Sequence, residues 1–330
     1  MLSVRNLKVY FDMDDRVVRA VDGISFEIQK GENVCLVGES GCGKSVSALS
    51  IMGLLPRPPA RIAGGEILFK DLELLKMSDE DMREIRGNAI AMVFQEPMTS
   101  LNPVFTIGDQ ITEAILIHEK LKKEDLIKRC VGLLRDVGIP SPEERLRDYP
   151  HQLSGGQRQR VMIAMALACN PELFIADEPT TALDVTIQAQ ILELFKTLQQ
   201  EREMSLLYIT HDLSVVSTIA DRIYVMYAGI MVEQGKRADI FKQPAHPYTR
   251  GLLKALPDPS KRGHELYSIP GAVPDPAFKP EGCPFNPRCD YVRESCRQSF
   301  PEMCDYGSEH LSRCPVVYGQ EKREGVGTEP

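Results

Sequence analysis

Residues 32–45 read ENVCLVGESGCGKS, and the fold turns on this stretch. Its first half, ENVCLVG (32–38), is a short apolar run ending in glycine, the pattern of a buried strand. Its second half, Gly38-Glu39-Ser40-Gly41-Cys42-Gly43-Lys44-Ser45, fits G-x-x-x-x-G-K-[ST]. Glycines let the backbone wrap closely, so that successive N–H groups point at phosphate oxygens. A helix starting at Lys44 presents its N-terminus to the same anion. Lys44 then reaches the β- and γ-phosphates, and the Ser45 hydroxyl ligates Mg²⁺. The flanks suit this reading: KSVSALSIMGLL (44–55) has a helical pattern that stops at the Pro-rich PRPPAR (56–61).

Outward from the loop, strand and helix patterns alternate. VRNLKVYF (4–11), VVRAVDGISFEI (17–28), GGEILF (64–69), NAIAMVFQ (88–95), ELFIAD (172–177) and SLLYITH (205–211) read as strands. Apolar residues at 107, 111, 115, 126, 130, 133, 134 and 137 mark a helical region over 107–138, and 158–169 a further helix. The expectation is an α/β domain with a largely parallel sheet and a helical insertion near 97–170. In ELFIAD the strand ends on Asp177, placed to hold Mg²⁺, and Glu178 follows where it can polarise an attacking water.

Composition narrows the function classes. The chain has 330 residues and a net charge of −8, which opposes an electrostatic grip on duplex nucleic acid. It has no Trp and only 6% aromatic residues, so a base-stacking platform is not expected. The N-terminal MLSVRNLKVYF has no signal-peptide apolar run, and no stretch of about 18 apolar residues occurs, so an intracellular chain is expected. After about residue 243 the composition shifts. Thirteen of the 23 prolines fall in 244–330, giving a loop-rich appendage, and GQEKREGVGTEP (319–330) reads as a disordered end. Five of nine cysteines crowd between Cys283 and Cys314, and in a reducing compartment such clusters are metal ligands more often than disulfides.

Leu153-Ser154-Gly155-Gly156-Gln157, followed by the helix RQRVMIAMALA and then the Asp177 strand, resembles the signature of ATP-binding cassette (ABC) ATPases. The remaining motifs follow in family order. Gln95 matches the Q-loop, Ala182-Leu183-Asp184 the D-loop, and His211 the switch histidine. Tyr10 and Phe11 are candidates for the adenine-stacking aromatic, with the alignment favouring Phe11. The resemblance implies an α/β P-loop NTPase cassette, with a RecA-like core, an antiparallel β subdomain and a helical subdomain. Two cassettes would form a head-to-tail sandwich with ATP at the seam. Gly38, Glu39, Ser40, Gly41, Cys42, Gly43, Lys44, Ser45, Gln95, Asp177, Glu178 and His211 would serve this chain's nucleotide. Ser154, Gly155, Gly156 and Gln157 would serve the partner's, with Asp184 in the D-loop between. Mg²⁺ would be held by Ser45, Gln95 and Asp177. Glu178 would act as base, His211 would hold the γ-phosphate, and Gln95 would sense metal and water.

Further stretches resemble one subfamily. Gln95-Glu96-Pro97-Met98-Thr99-Ser100-Leu101-Asn102-Pro103, VRAVDGISFEIQKGE (18–32) and His246-Pro247-Tyr248-Thr249-Arg250 are similar to the D-type ATP-binding subunits of peptide and nickel importers. That implies an ATPase domain over 1–243, an importer-type extension over 244–318 and a loose end over 319–330. It also implies a homologous F-type ATPase as dimer partner (a homodimer is possible in isolation), two transmembrane permease subunits and an external peptide-binding protein. The place of work would be the cytoplasmic face of the membrane, with no nucleic acid bound. In the same family the tail pattern C-P-F-x-P-R-C…C…C binds a [4Fe–4S] cluster, and Cys283, Cys289, Cys296 and Cys314 match it. Cys304 falls outside the pattern. The spacings Cys283-x5-Cys289-x6-Cys296 do not form the paired knuckles of structural zinc sites, although zinc and a thiol-only tail are alternatives. The resemblance implies di- or oligopeptide cargo; the alternative is the same role in a nickel or oligosaccharide importer. A DNA-maintenance ABC ATPase with a zinc module is disfavoured, because only 107 residues separate Ser45 from Leu153 and none forms a heptad run.

Overall fold

A computed structural model describes residues 1–94, 100–181, 183–257 and 267–316. The chain forms two compact units: residues 1–27, 34–75 and 210–330 make the first, and 28–33 with 76–209 the second.

The first unit holds an antiparallel sheet of β1 (Leu2–Asp12), β2 (Val17–Ile28), β4 (Ala60–Phe69) and β5 (Leu72–Glu73), in the order β2-β1-β4-β5. Leu2, Val4, Leu7 and Val9 of β1 are buried. The skip from Val4 to Leu7 is a register shift between Arg5 and Lys8, with Asn6 at φ +47°. Such a bulge returns the apolar side chains to the core face after one extra residue. The same unit carries β3 (Asn33–Val37), whose Val34, Cys35, Leu36 and Val37 are all buried, as a strand covered on both faces must be. It pairs in parallel with β9 (Arg222–Tyr227), and β9 pairs antiparallel with β10 (Ile230–Lys236).

The second unit holds β6 (Ile90–Val93), β7 (Leu173–Asp177) and β8 (Ser205–Thr210), all parallel. Beside them, helices Ile107–Leu116, Lys123–Asp136 and Gly155–Ala166 pack on one another, and Val185–Arg202 is the longest of the described helices. Phe195 of that helix packs edge-on against Phe174 and Tyr208. No described helix is long and apolar enough to cross a membrane.

Several expectations need adjustment. The sheet strands are mixed rather than largely parallel, because β9 and β10 form an antiparallel pair. The helix from Lys44 ends at Ile51, because Gly53 turns left-handed at φ +61° and the Leu54 N–H donates to the Leu49 carbonyl. The 107–138 region is two helices. The extension is more than a loose appendage: β12 (Leu311–Ser312) pairs with both β10 and β11 (Cys304–Asp305). The expected disordered end, 319–330, lies outside the described residues.

One buried acid joins these pieces of the first unit. Glu233 on β10 is fully buried and accepts hydrogen bonds from the Ala245 N–H (2.6 Å), the His246 N–H (2.9 Å) and His310 Nε2 (2.7 Å). A buried carboxylate is tolerable only with such partners. His246 in turn caps helix Pro247–Lys254, its Nδ1 accepting from the Tyr248 N–H at 3.1 Å. Burial pulls the His246 imidazole down to about 4, against an opposing pull from Glu233. Between that value and about 6.5 the unfolded chain binds this proton and the folded chain does not, so stability falls with falling pH. Replacing His246 by Asn keeps a capping acceptor and removes the titration. In urea denaturation, the wild-type chain should lose roughly 2 kcal/mol more than His246→Asn between about pH 6.5 and 4.5.

Candidate functional site: the phosphate loop, its companions and the cysteine cavity

β3 delivers the chain into the loop at Gly38, and the helix begins at Lys44. Two glycines are there for lack of room. A Cβ on Gly38 would stand 2.2 Å from the Met226 carbonyl oxygen, and one on Gly43 would stand 2.4 Å from that of Ala20. Gly43 also has φ +104°, a conformation side chains rarely adopt. Lys44 is buried, and its Nζ donates to the carbonyls of Gly38 (2.7 Å) and Glu39 (3.1 Å). Two carbonyl acceptors within the loop thus hold the ammonium that the sequence assigns to phosphate. The Cys42 carbonyl accepts from the Gly229 N–H, and its thiol is fully buried. Burial pushes that thiol up despite Lys44 beside it, so it stays protonated and is a poor nucleophile.

The back of the loop is propped by the extension. The Glu39 N–H donates to the Tyr248 hydroxyl at 2.8 Å, and the Glu39 carboxylate accepts both its hydrogen bonds from Arg288 Nη1, at 3.0 and 3.2 Å. Tyr227, Tyr248 and Phe285 pack together beneath, with ring centroids 4.7–5.5 Å apart. Sequence reading did not single out Arg288, Tyr227 or Glu233. The one available signal was the PR of the tail motif and the HPYTR run, which contains Tyr248.

On β1, Tyr10 and Phe11 point to opposite faces. The Tyr10 hydroxyl donates to Asp22 (2.8 Å), and the guanidinium of Arg61 lies 5.2 Å from its ring centroid. His211 is exposed beyond β8, and the next residue, Asp212, caps helix Leu213–Ile219.

In the second unit, β7 is buried along its whole length and ends on Asp177. Glu178 is buried and turns left-handed at φ +47°. Its N–H donates to the Ile209 carbonyl, and its Oε2 accepts from the Thr181 hydroxyl at 3.1 Å. A non-glycine residue at this φ is strained, and the surrounding bonds hold the carboxylate in that pose. Ser154 caps helix Gly155–Ala166: its hydroxyl accepts from the Gln157 N–H, and Gln157 Oε1 accepts from the Ser154 N–H. Ser154 and Gly155 are exposed, and a Cβ on Gly155 would meet open space. Asp184 caps Val185–Arg202 by accepting from the Thr186 and Ile187 N–H groups. Gln95 and Ala182 lie outside the described residues, as does the Q-loop stretch through Thr99.

The tail cysteines gather around one place. Cys283, Cys289, Cys296 and Cys314 line a single cavity of about 70 Å³, with Phe285 and Val316 among its apolar walls. Cys296 packs against the pair of buried residues Cys314 and Val316. Cys304 is not part of the lining. Burial, followed by the neighbouring thiols, pushes Cys283 up to about 12. None of the nine cysteines is in a disulfide. Among the described residues, no three His, Cys, Asp or Glu side chains converge closely enough to grip a metal ion, so the four thiols border the cavity without closing on a common point.

Comparison with known proteins follows the same division. Residues 21–181 match the family described as "ABC transporter", and residues 232–296 match "Oligopeptide/dipeptide transporter, C-terminal region". The dipeptide transport ATP-binding protein DppD of Bacillus subtilis (strain 168) is 54% identical over 314 residues, covering 95% of this chain and 94% of that one. This chain belongs to the ABC transporter ATP-binding proteins. The oligopeptide transport ATP-binding protein AppD of the same organism is 51% identical, with 98% of each chain covered. Among solved structures, the dimeric post-hydrolysis state of the ATP-binding cassette MJ0796 bound to ADP and Pi superposes with a TM-score of 0.65 at 29% identity, covering 72% of this chain and 99% of that chain. The fold is thus that of an ABC ATPase cassette, and the family activity is ATP hydrolysis.

Gly43→Ala is the sharpest test of the loop. The added methyl meets the Ala20 carbonyl in a strained backbone conformation, so ATP affinity should fall more than about tenfold, read by nucleotide titration of the folded variant.

Proposed function

We propose that this chain is the energy-coupling ATPase of an ABC importer for di- or oligopeptides. The observation that carries the reading is the near-full-length identity to DppD and AppD, joined to the oligopeptide/dipeptide match in the extension. In this reading the chain sits peripherally at the cytoplasmic face of the membrane beneath two permease subunits. An external binding protein delivers cargo. The dimer partner is a homologous F-type ATPase, and the exposed Ser154–Gly155 end of the signature helix suits service to the partner's nucleotide.

The residues then take the following roles. Loop N–H groups within Gly38–Ser45, beyond that of Glu39, cradle the β- and γ-phosphates. Lys44 exchanges the Gly38 and Glu39 carbonyls for phosphate oxygens. Ser45 and Asp177, with Gln95, would hold Mg²⁺, and the ion would supply neutralisation of the developing charge. Glu178, held by Thr181, accepts the proton of the attacking water, and His211 steadies the γ-phosphate. Phe11 stacks on adenine, since the Tyr10 ring is already covered by Arg61 and its hydroxyl tied to Asp22. Glu178→Gln removes the base and keeps the shape. Steady-state hydrolysis should fall by about 10²–10⁴-fold while ATP stays bound. Undiminished turnover would remove Glu178 from the role.

The tail supports a metal reading of the same extension. Four cysteines line one cavity and the fifth does not, and these four are the ones that the family resemblance assigns to a [4Fe–4S] cluster. The thiols do not close on a common point, so a cluster would have to draw them together. Anaerobically purified protein should be brown with broad visible absorbance. Cys304→Ser should keep the colour and Cys283→Ser should lose it. A colourless wild-type protein, with or without zinc, would end this reading.

A further inference from the structure

The cysteine-bearing extension touches the phosphate loop through Tyr248, which binds the Glu39 N–H, and through Arg288, which binds the Glu39 carboxylate. Arg288 lies between Cys283 and Cys289, in the turn Asn286–Arg288. Its side chain is only 5% exposed, so the guanidinium has left water and must be fully partnered. Nε donates to the Pro270 carbonyl at 2.8 Å and Nη2 to the Ile269 carbonyl at 3.3 Å. These two bonds fix the fork from the extension's side. Nη1 reaches the other way, to both oxygens of Glu39 and to the Tyr227 hydroxyl at 3.3 Å.

Glu39 is the second residue of the loop, and each of its polar groups is committed. Its N–H is bound by the Tyr248 hydroxyl, its carbonyl by Lys44 Nζ, and its carboxylate by Arg288. The carboxylate is therefore turned onto Arg288, and what remains for a nucleotide is the backbone of the following residues. A loop that binds anions through successive N–H groups works only when their directions are set in advance. Glycines 41 and 43 leave this loop little intrinsic stiffness. An external clamp on residue 39 supplies it. The clamp also leaves the carboxylate neutralised, since an unpaired Glu39 charge beside the loop would repel phosphate.

We propose that Arg288 is a positioning residue for nucleotide binding: from the cysteine-flanked turn of the extension, it clamps Glu39 and so presets the phosphate loop for ATP. The inference rests on residues 38–45 being the phosphate loop. It makes the extension part of the ATPase machinery, and it places the clamp within the segment bounded by two of the cavity cysteines.

The test is ATP affinity of the full-length chain, measured by displacement of a fluorescent ATP analogue, beside the melting temperature without nucleotide. Arg288→Ala and Glu39→Ala should each weaken ATP binding about tenfold, and the double variant should be no weaker than about threefold beyond either single, because both remove one interaction. Arg288→Lys keeps the charge and loses the fork, so its affinity should fall between wild type and Arg288→Ala. A purely structural strap would lower the melting temperature and leave ATP affinity unchanged in the folded variants, which would overturn the proposal. So would effects of the two single variants that multiply in the double. Should Arg288→Ala fail to fold, Glu39→Ala and Arg288→Lys decide by the same criterion. Lys44→Ala separates the underlying reading: if it still binds ATP like wild type, the phosphate-loop assignment is at fault rather than the clamp.

Discussion

Space behind the phosphate loop is the constraint on which the first unit depends. A backbone that is to face an anion cannot also carry side chains against its own support, and at Gly38 and Gly43 the support comes within 2.2–2.4 Å of where a Cβ would be. The supporting atoms are backbone carbonyls of Met226 and Ala20, from β9 and β2. Those strands must therefore be held to within a few tenths of an ångström. The buried registry of β3 against β9, and the hydrogen bond between Gly229 and Cys42, do that holding. Nucleotide affinity is in this sense a property of strand registry far along the chain.

Legibility in the sequence followed the range of the interactions. The loop, the Asp177–Glu178 strand end and the Ser154 cap are local, and their spacing alone gives them away. The capping box of Ser154 and Gln157 closes within three residues, so LSGGQ carries its own geometry. Arg288 and Glu39 are 249 positions apart, and no periodicity or motif links them. Glu233 reads in the sequence as one more strand acid, EQG after an apolar run. Only burial against Ala245, His246 and His310 reveals it as a junction. The strands β9 and β10 carry no motif: RIYVMY follows the helix Leu213–Ile219 closely, and IMVEQGK follows β9 after a two-residue turn.

The cysteines show how chemistry and position divide a composition signal. Cys35, Cys42, Cys130 and Cys169 are buried in the cassette, where burial raises each thiol and makes it inert. In the tail cavity, burial and then the neighbouring thiols of Cys314, Cys289 and Cys296 raise Cys283. Cys304 sits instead in the β11–β12 ladder, where its backbone pairs with Ser312.

The Glu233 junction bears on how such a chain can be rearranged. A carboxylate that is wholly buried on β10 draws its partners from the helix that opens the extension and from the hairpin that closes it. Cutting the chain after the cassette would strand a charge in an apolar interior, and transplanting the extension onto a cassette with an apolar residue at that strand position would strand His310 instead. The extension and the β10 strand are thus one hydrogen-bonded unit, so an exchange between cassettes has to carry both.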